Sequence, residues 1–316
     1  MLRWRKTRMY EVMMFDGGIY RYDEFEDLVD DLGGVVLQKS QMAQLMLSTV
    51  AVPAEDKAVV EDFAKELGGE IKEVPLAGTE IAVVGPTLGR HHMPHPICDI
   101  AEQLRQYGAI TVVMGLARGR GKNTAQISAD EKAIINEYDA AIFSLGNFKK
   151  CVEEKKHLFD DIGVPVVLVC GPTPEGLEDD CEGIVCGVGR KSERMRRSDE
   201  IEKLVEIANI TTEVIRQRRI ELEEDPLFIH PFEIKQQLED LSAVRRSLRP
   251  APVVLHLDGV RVKIPYVENR DELENIEVAG RRLGEVARIT PSRISNSSTL
   301  IKIMTRSEIE HRDAQR

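Results

Sequence analysis

"TEIAVVGPTLGRHHMPHPICDIAEQLRQYGAITVVMG", residues 79–115, decides the fold. Two short apolar runs, "TEIAVVG" and "AITVVMG", each end in glycine and flank a stretch, "ICDIAEQL", with helical spacing. Neither run alternates apolar with polar residues, so each strand is covered on both faces, as in a parallel sheet between helices. The rhythm returns in "DAAIFSLG" (139–146), "VPVVLVCG" (164–171) and "GIVCGVG" (183–189), with helical stretches at 96–107, 129–137 and 148–161. Residues 79–224 thus read as a doubly wound, Rossmann-like α/β domain. A long charged helix over 198–224 closes it, and its ligands belong at the carboxyl edge of the sheet.

On either side the pattern changes. Residues 9–78 contain strands "MYEVMMF", "GGVVLQ", "LMLSTVAVP" and "GEIKEVPL" around two glycine-ended amphipathic helices. That βαββαβ order is the ferredoxin-like plait. Residues 225–316 predict a small α+β, partner-binding module: a helix at 232–248, two β runs around the Asp-Gly of "PVVLHLDGVRVKIPY", a helix at 271–288 and the strand "STLIKIMT". Residues 1–8 read as a flexible lead-in.

Composition narrows the function. Lys+Arg 43 against Asp+Glu 54 gives a net charge of −11, so no global positive field draws in nucleic acid. No apolar run approaches the roughly 20 residues that cross a bilayer, and "MLRWRKTR" leads into no signal-like stretch. The expectation is a cytoplasmic protein that binds neither nucleic acid nor membrane. Five cysteines, an odd count without an extracellular signal, read as reduced thiols: buried hydrophobes, nucleophiles, or ligands of a metal or cluster.

All five (Cys98, Cys151, Cys170, Cys181 and Cys186) fall in the α/β domain, at strand ends or helix starts. Pro96 suits a first helical position, placing Cys98 in the first turn, toward the positive end of the helix dipole. If the strands run as predicted, five thiols gather at or near one edge, and cysteine thiolates are the usual ligands of iron–sulfur clusters. His91, His92 and His95 are possible additional ligands, although their spacing matches no zinc motif. No C-x-x-C-x-x-C run is present, so scattered ligands, shared with a partner, suit a cluster better than a ferredoxin-type site.

Other familiar chemistries fail. "GLARGRGKNTAQIS" (115–128) has Leu116 where a Walker A loop needs glycine and Asn123 where it needs Ser or Thr. Arg118, Gly119, Arg120, Gly121 and Lys122 remain a flexible cationic loop that suits an anion or the surroundings of a cluster. "GPTLGRHH" is not G-x-G-x-x-G, "GVGRKSE" lacks the third glycine, and there is no G-x-S-x-G elbow.

Together "MYEVMMFDGG", "EVPLAGTEIAVVGPTLGRHHMPHPICDIAE", "GLARGRGKNTAQISADEKAII" and "SLGNFKKCVEEKK" resemble the methanogenesis marker protein 7 family, from Met9 onward. The resemblance implies a component of the assembly, in methanogenic archaea, that reductively activates methyl-coenzyme M reductase by bringing the nickel of coenzyme F430 to Ni(I). It implies as partners other methanogenesis marker proteins, the reductase itself, its operon-encoded accessory protein and an ATP-binding-cassette-type ATPase. It further implies electron transfer through complex iron–sulfur clusters similar to nitrogenase cofactor precursors. The family assigns no ligand here residue by residue.

Three readings stay open. One is a redox or assembly subunit, rather than an enzyme by itself, that binds a cluster and relays electrons. A second is a stand-alone small-molecule or anion-binding enzyme using His91, His92, Arg118, Arg120 and Lys122. The third is a structural adaptor whose cysteines are only core.

Overall fold

The computed structural model describes residues 10–86, 97–116, 126–146, 149–188, 197–247 and 251–314. The chain divides into two compact units. One is Thr79–Asp225 with Ser292–Asn296; the other is the chain up to Gly78 with Pro226–Pro291 and Ser297–Arg316.

The second of these opens with β1 (Tyr10–Gly18), α1 (Tyr22–Asp31), β2 (Val35–Met42), β3 (Leu45–Pro53), α2 (Lys57–Glu66) and β4 (Glu70–Glu73). All neighbours are antiparallel in the order β2-β3-β1-β4, the plait that the sequence pattern predicts. Gly33 and Gly68 take left-handed conformations just past α1 and α2, and the amides of Gly34 and Gly69 reach back to the Val29 and Ala64 carbonyls. These bonds satisfy helix-end carbonyls that would otherwise have no partner. Phe15 and Phe25, with ring centroids 4.4 Å apart, centre a core shared with Tyr22, Val29, Val50 and Val60.

The α/β unit contains β5 (Glu80–Gly85), α3 (Ile97–Gln106), β6 (Ile110–Gly115), α4 (Ala129–Ile135), β7 (Ala140–Gly146), α5 (Lys149–Glu153), β8 (Val166–Cys170), β9 (Gly183–Val185) and α6 (Arg197–Glu224). Every strand pair is parallel, in the order β6-β5-β7-β8-β9. Counted within the unit this is the doubly wound order 2-1-3-4-5, whose direction reverses between β5 and β7. All of β5 and β8 is buried, and β7 is buried through Leu145, as the unbroken apolar runs require. A capping box starts α4: the Ser128 hydroxyl accepts from the Glu131 amide, and the Glu131 carboxylate accepts from the Ser128 amide. The helix expected over 148–161 is shorter. α5 stops at Glu153, a 3₁₀ turn follows at Lys156–Leu158, and Asp161 is left-handed at φ 59°.

The remaining elements are α7 (Pro231–Asp240), α8 (Ser242–Arg245), β10 (Val253–His256), β11 (Gly259–Val262), α9 (Tyr266–Glu274), β12 (Glu277–Val278), β13 (Arg281–Arg282), α10 (Leu283–Val286), β14 (Ala287–Pro291), β15 (Thr299–Ile303) and α11 (Arg306–Ala314). An antiparallel sheet in the order β10-β11-β15-β14 gives the α+β character expected of the tail.

Three local expectations change here. The helix expected over 232–248 breaks at Leu241, whose backbone is extended (φ −63°, ψ 135°). The one expected over 271–288 gives way to a β12–β13 hairpin, because Ala279 and Gly280 turn it with φ of 48° and 79°, values outside the right-handed helical region. Gly259 is not a turn residue. It pairs with His256 as the first residue of β11, and an added Cβ would strike the Ile301 carbonyl of β15. Among the described residues no helix is long and apolar enough to cross a membrane.

Candidate functional site

Because all five strands of the α/β unit run the same way, their carboxyl ends share one rim. β8 ends there at Cys170. Val169 is paired with Val185, so Cys170 and Cys186 are the next residues up on neighbouring strands. Their Sγ atoms are 3.9 Å apart. Cys170 is 1% exposed and donates to the Pro172 carbonyl at 3.1 Å. Cys186 is half-buried and packs against the same apolar cluster. Burial pushes the Cys170 thiol up to about 12, and the neighbouring Cys186 and Cys181 add to the effect.

The other cysteines are placed differently. Cys98 is exposed in the first turn of α3. Cys151 lies on α5, and its side chain is outside the described residues. Cys181 precedes β9 and so enters that three-residue strand from its amino end, with its thiol donating to the Leu177 carbonyl at 3.4 Å. It precedes the strand that Cys186 follows, and it packs against the same apolar cluster as the pair. The structure therefore brings Cys170 and Cys186 together and leaves Cys98 apart on the surface. His91, His92, His95, Arg118, Gly119, Arg120, Gly121 and Lys122 lie outside the described residues. The connections that contain them follow β5 and β6.

Two thiolates on one tetrahedral metal, each about 2.3 Å from it, sit about 3.8 Å apart. The 3.9 Å separation of the pair fits two positions on a single metal. Binding there has to displace the Cys170 proton, which burial holds tightly. Among the described residues no three His, Cys, Asp or Glu side chains come together as a metal set.

Two further rim residues escaped the sequence reading. Ser144, 0% exposed, lies two residues before the end of β7 with no hydrogen-bond partner for its hydroxyl among the described residues. Lys155, 6% exposed, turns its ammonium onto the Leu145 carbonyl at 2.7 Å. Ser144 is the lone polar side chain inside "AAIFSLG", a signal that was available; Lys155 is hidden in the charged run "EEKK".

The opposite rim is built otherwise. The Asp139 carboxyl group accepts from the Glu80 amide at 2.8 Å, tying the start of β7 to the start of β5. Glu137 is 6% exposed and accepts from the Ser292 hydroxyl at 2.7 Å and from the Arg293 amide.

Sequence comparison places the chain in a family. The chain is 40% identical to an uncharacterized protein of Methanocaldococcus jannaschii over 309 residues, 96% of this chain and 98% of that one. It is 28% identical to methyl-coenzyme M reductase operon protein C of Methanococcus vannielii over 111 residues, 32% of this chain and 56% of that protein. The match to the corresponding protein of Methanococcus voltae is also 28%, over 109 residues, 32% of this chain and 60% of that one. The chain thus spans little more than half the length of these operon proteins. The family model for methyl-coenzyme M reductase operon protein C matches residues 10–276. The chain belongs to the methyl-coenzyme M reductase operon protein C family.

Proposed function

We propose that the chain is a non-catalytic accessory subunit in the ATP-dependent reductive activation of methyl-coenzyme M reductase, and that it helps to bind an iron–sulfur cluster at the carboxyl rim of its parallel sheet. Within the family, this is the role that the resemblance to methanogenesis marker protein 7 implies. The partners are the reductase, its operon-encoded protein, other marker proteins and an ATP-binding-cassette-type ATPase. The single observation that carries the reading is the thiol pair, Cys170 and Cys186, 3.9 Å apart where parallel strands end.

Cys170 and Cys186 hold two positions of the coordination. A partner subunit or the histidine-bearing connection after β5 completes it. When bound, the cluster supplies low-potential electrons for reducing the nickel of F430. The protein's own contribution is a rigid, water-poor wall. β8 is buried along its whole length, so the site around Cys170 has a low dielectric and its charges interact strongly.

Anaerobic purification of the full chain with its partners tests this. Iron and acid-labile sulfide are expected in the purified complex, and both fall sharply in Cys170→Ala and Cys186→Ala while the complex still assembles. A fully assembled wild-type complex free of iron overturns the reading. So does one whose iron is unchanged in both variants.

A further inference from the structure

The same two thiols point to a reaction that needs no metal. Neighbouring strands in a sheet lie about 4.8 Å apart, inside the Cα separation of roughly 4.4–6.8 Å that a disulfide accepts. Cys170 and Cys186 follow the paired residues Val169 and Val185 on such strands, and their sulfurs already stand 3.9 Å apart. Closing to bonding distance requires side-chain rotation, not a rearrangement of β8 and β9.

We propose that Cys170 and Cys186 are an oxidation site: a hydroperoxide converts the pair to an intramolecular disulfide that a small dithiol reverses. The burial difference sets the order of events. Cys186 is the more accessible of the two, whereas Cys170 is 1% exposed. The Cys186 sulfur attacks the hydroperoxide, the O–O bond breaks, an alcohol leaves (water where the oxidant is hydrogen peroxide), and Cys186 becomes a sulfenic acid. Cys170 then displaces hydroxide from that sulfur; its thiol proton leaves with it as water, and the S–S bond forms. Two electrons pass from the two sulfurs to the peroxide, and nothing else is consumed.

Position gives the bond a consequence. It would tie the last residue of β8 to the residue after β9 and withdraw both thiols from coordination. The inference goes beyond cluster binding and does not depend on it, since the reaction is run on metal-free protein.

The experiment uses the full chain, prepared anaerobically, stripped of metal and treated with equimolar hydrogen peroxide before alkylation and mass mapping. Cleavage after Glu175, Glu178 and Glu182 puts Cys170, Cys181 and Cys186 on separate peptides. The expected product is a Cys170–Cys186 cross-link, lighter by two hydrogens and released by dithiothreitol. It forms equally in Cys181→Ser and is lost in Cys186→Ser. A cross-link that includes Cys181 overturns the proposal. So does over-oxidation of Cys186 to sulfinic acid with Cys170 still alkylatable, or a pair left untouched by peroxide.

Discussion

The two rims of the parallel sheet are made from the same strands, yet they treat their polar groups in opposite ways. At the amino rim, carboxyl groups are taken up by the fold. Asp139 accepts the Glu80 amide, and Glu137 accepts a hydroxyl and an amide from Ser292 and Arg293. At the carboxyl rim the groups are buried but less fully engaged: a hydroxyl with no partner among the described residues, an ammonium on a single carbonyl, and two thiols facing each other. A buried polar group without its full set of bonds costs stability. Stability is thus invested at one rim, while groups fit for a ligand collect at the other, where doubly wound sheets bind them. Three measurements test this contrast.

The largest effect belongs to the amino rim. Glu137→Ala leaves the Ser292 hydroxyl and the Arg293 amide without their acceptor. At about 1–3 kcal/mol for each unsatisfied donor, the loss should be about 4 kcal/mol. Hydrogen exchange is the measurement, because it reads the loss strand by strand. Amide protection across β5, β7 and β8 should fall together. If it does not fall, the carboxyl group is no more engaged than the groups on the opposite rim, and the contrast fails.

The second effect belongs to Cys170 and appears as a slope with pH. Its thiol is displaced from an ordinary 9.0 to about 12, chiefly by burial. Above 9.0 the unfolded chain loses a proton that the folded chain keeps, so stability falls as pH rises and levels off only past about 12. At pH 10 the loss from this one group is about 1.4 kcal/mol. Denaturant midpoints at pH 8 and pH 10, compared between wild type and Cys170→Ala, isolate it: the variant should lose that much less. Equal losses would mean that the thiol is solvated, and with it the rim.

How much of this was legible in the sequence follows from which interactions are local. Continuous apolar runs ending in glycine reveal a parallel sheet, because burial on both faces is written into neighbouring residues. Strand β14 was invisible. It is a short edge strand whose burial pattern has one buried residue in five, so the sequence has no apolar face to show. Residues 292–296 belong to the α/β unit through Glu137, a partner 155 positions away, and no local pattern encodes such a contact. For the cysteines, the sequence could place each near a strand end. Only the register of β8 against β9 reveals that Cys170 meets Cys186.

The smallest effect is the most discriminating, because its sign is at stake. Ser144 sits in β7 at 0% exposure with an unbonded hydroxyl among the described residues. Ser144→Ala removes that hydroxyl with little change in volume, so the metal-free chain should gain up to about 1 kcal/mol in stability, read as a higher denaturant midpoint. The reverse sign carries equal information. If Ser144→Ala destabilises, a partner for the hydroxyl exists in the connections beyond Gly85 or Leu116, and the carboxyl rim is as fully bonded as the amino rim. If the variant is stabilised when metal-free but loses that advantage in the assembled complex, the hydroxyl takes its partner from whatever the rim binds. The contrast between the rims would then be the difference between a finished structure and one that is completed by its ligand.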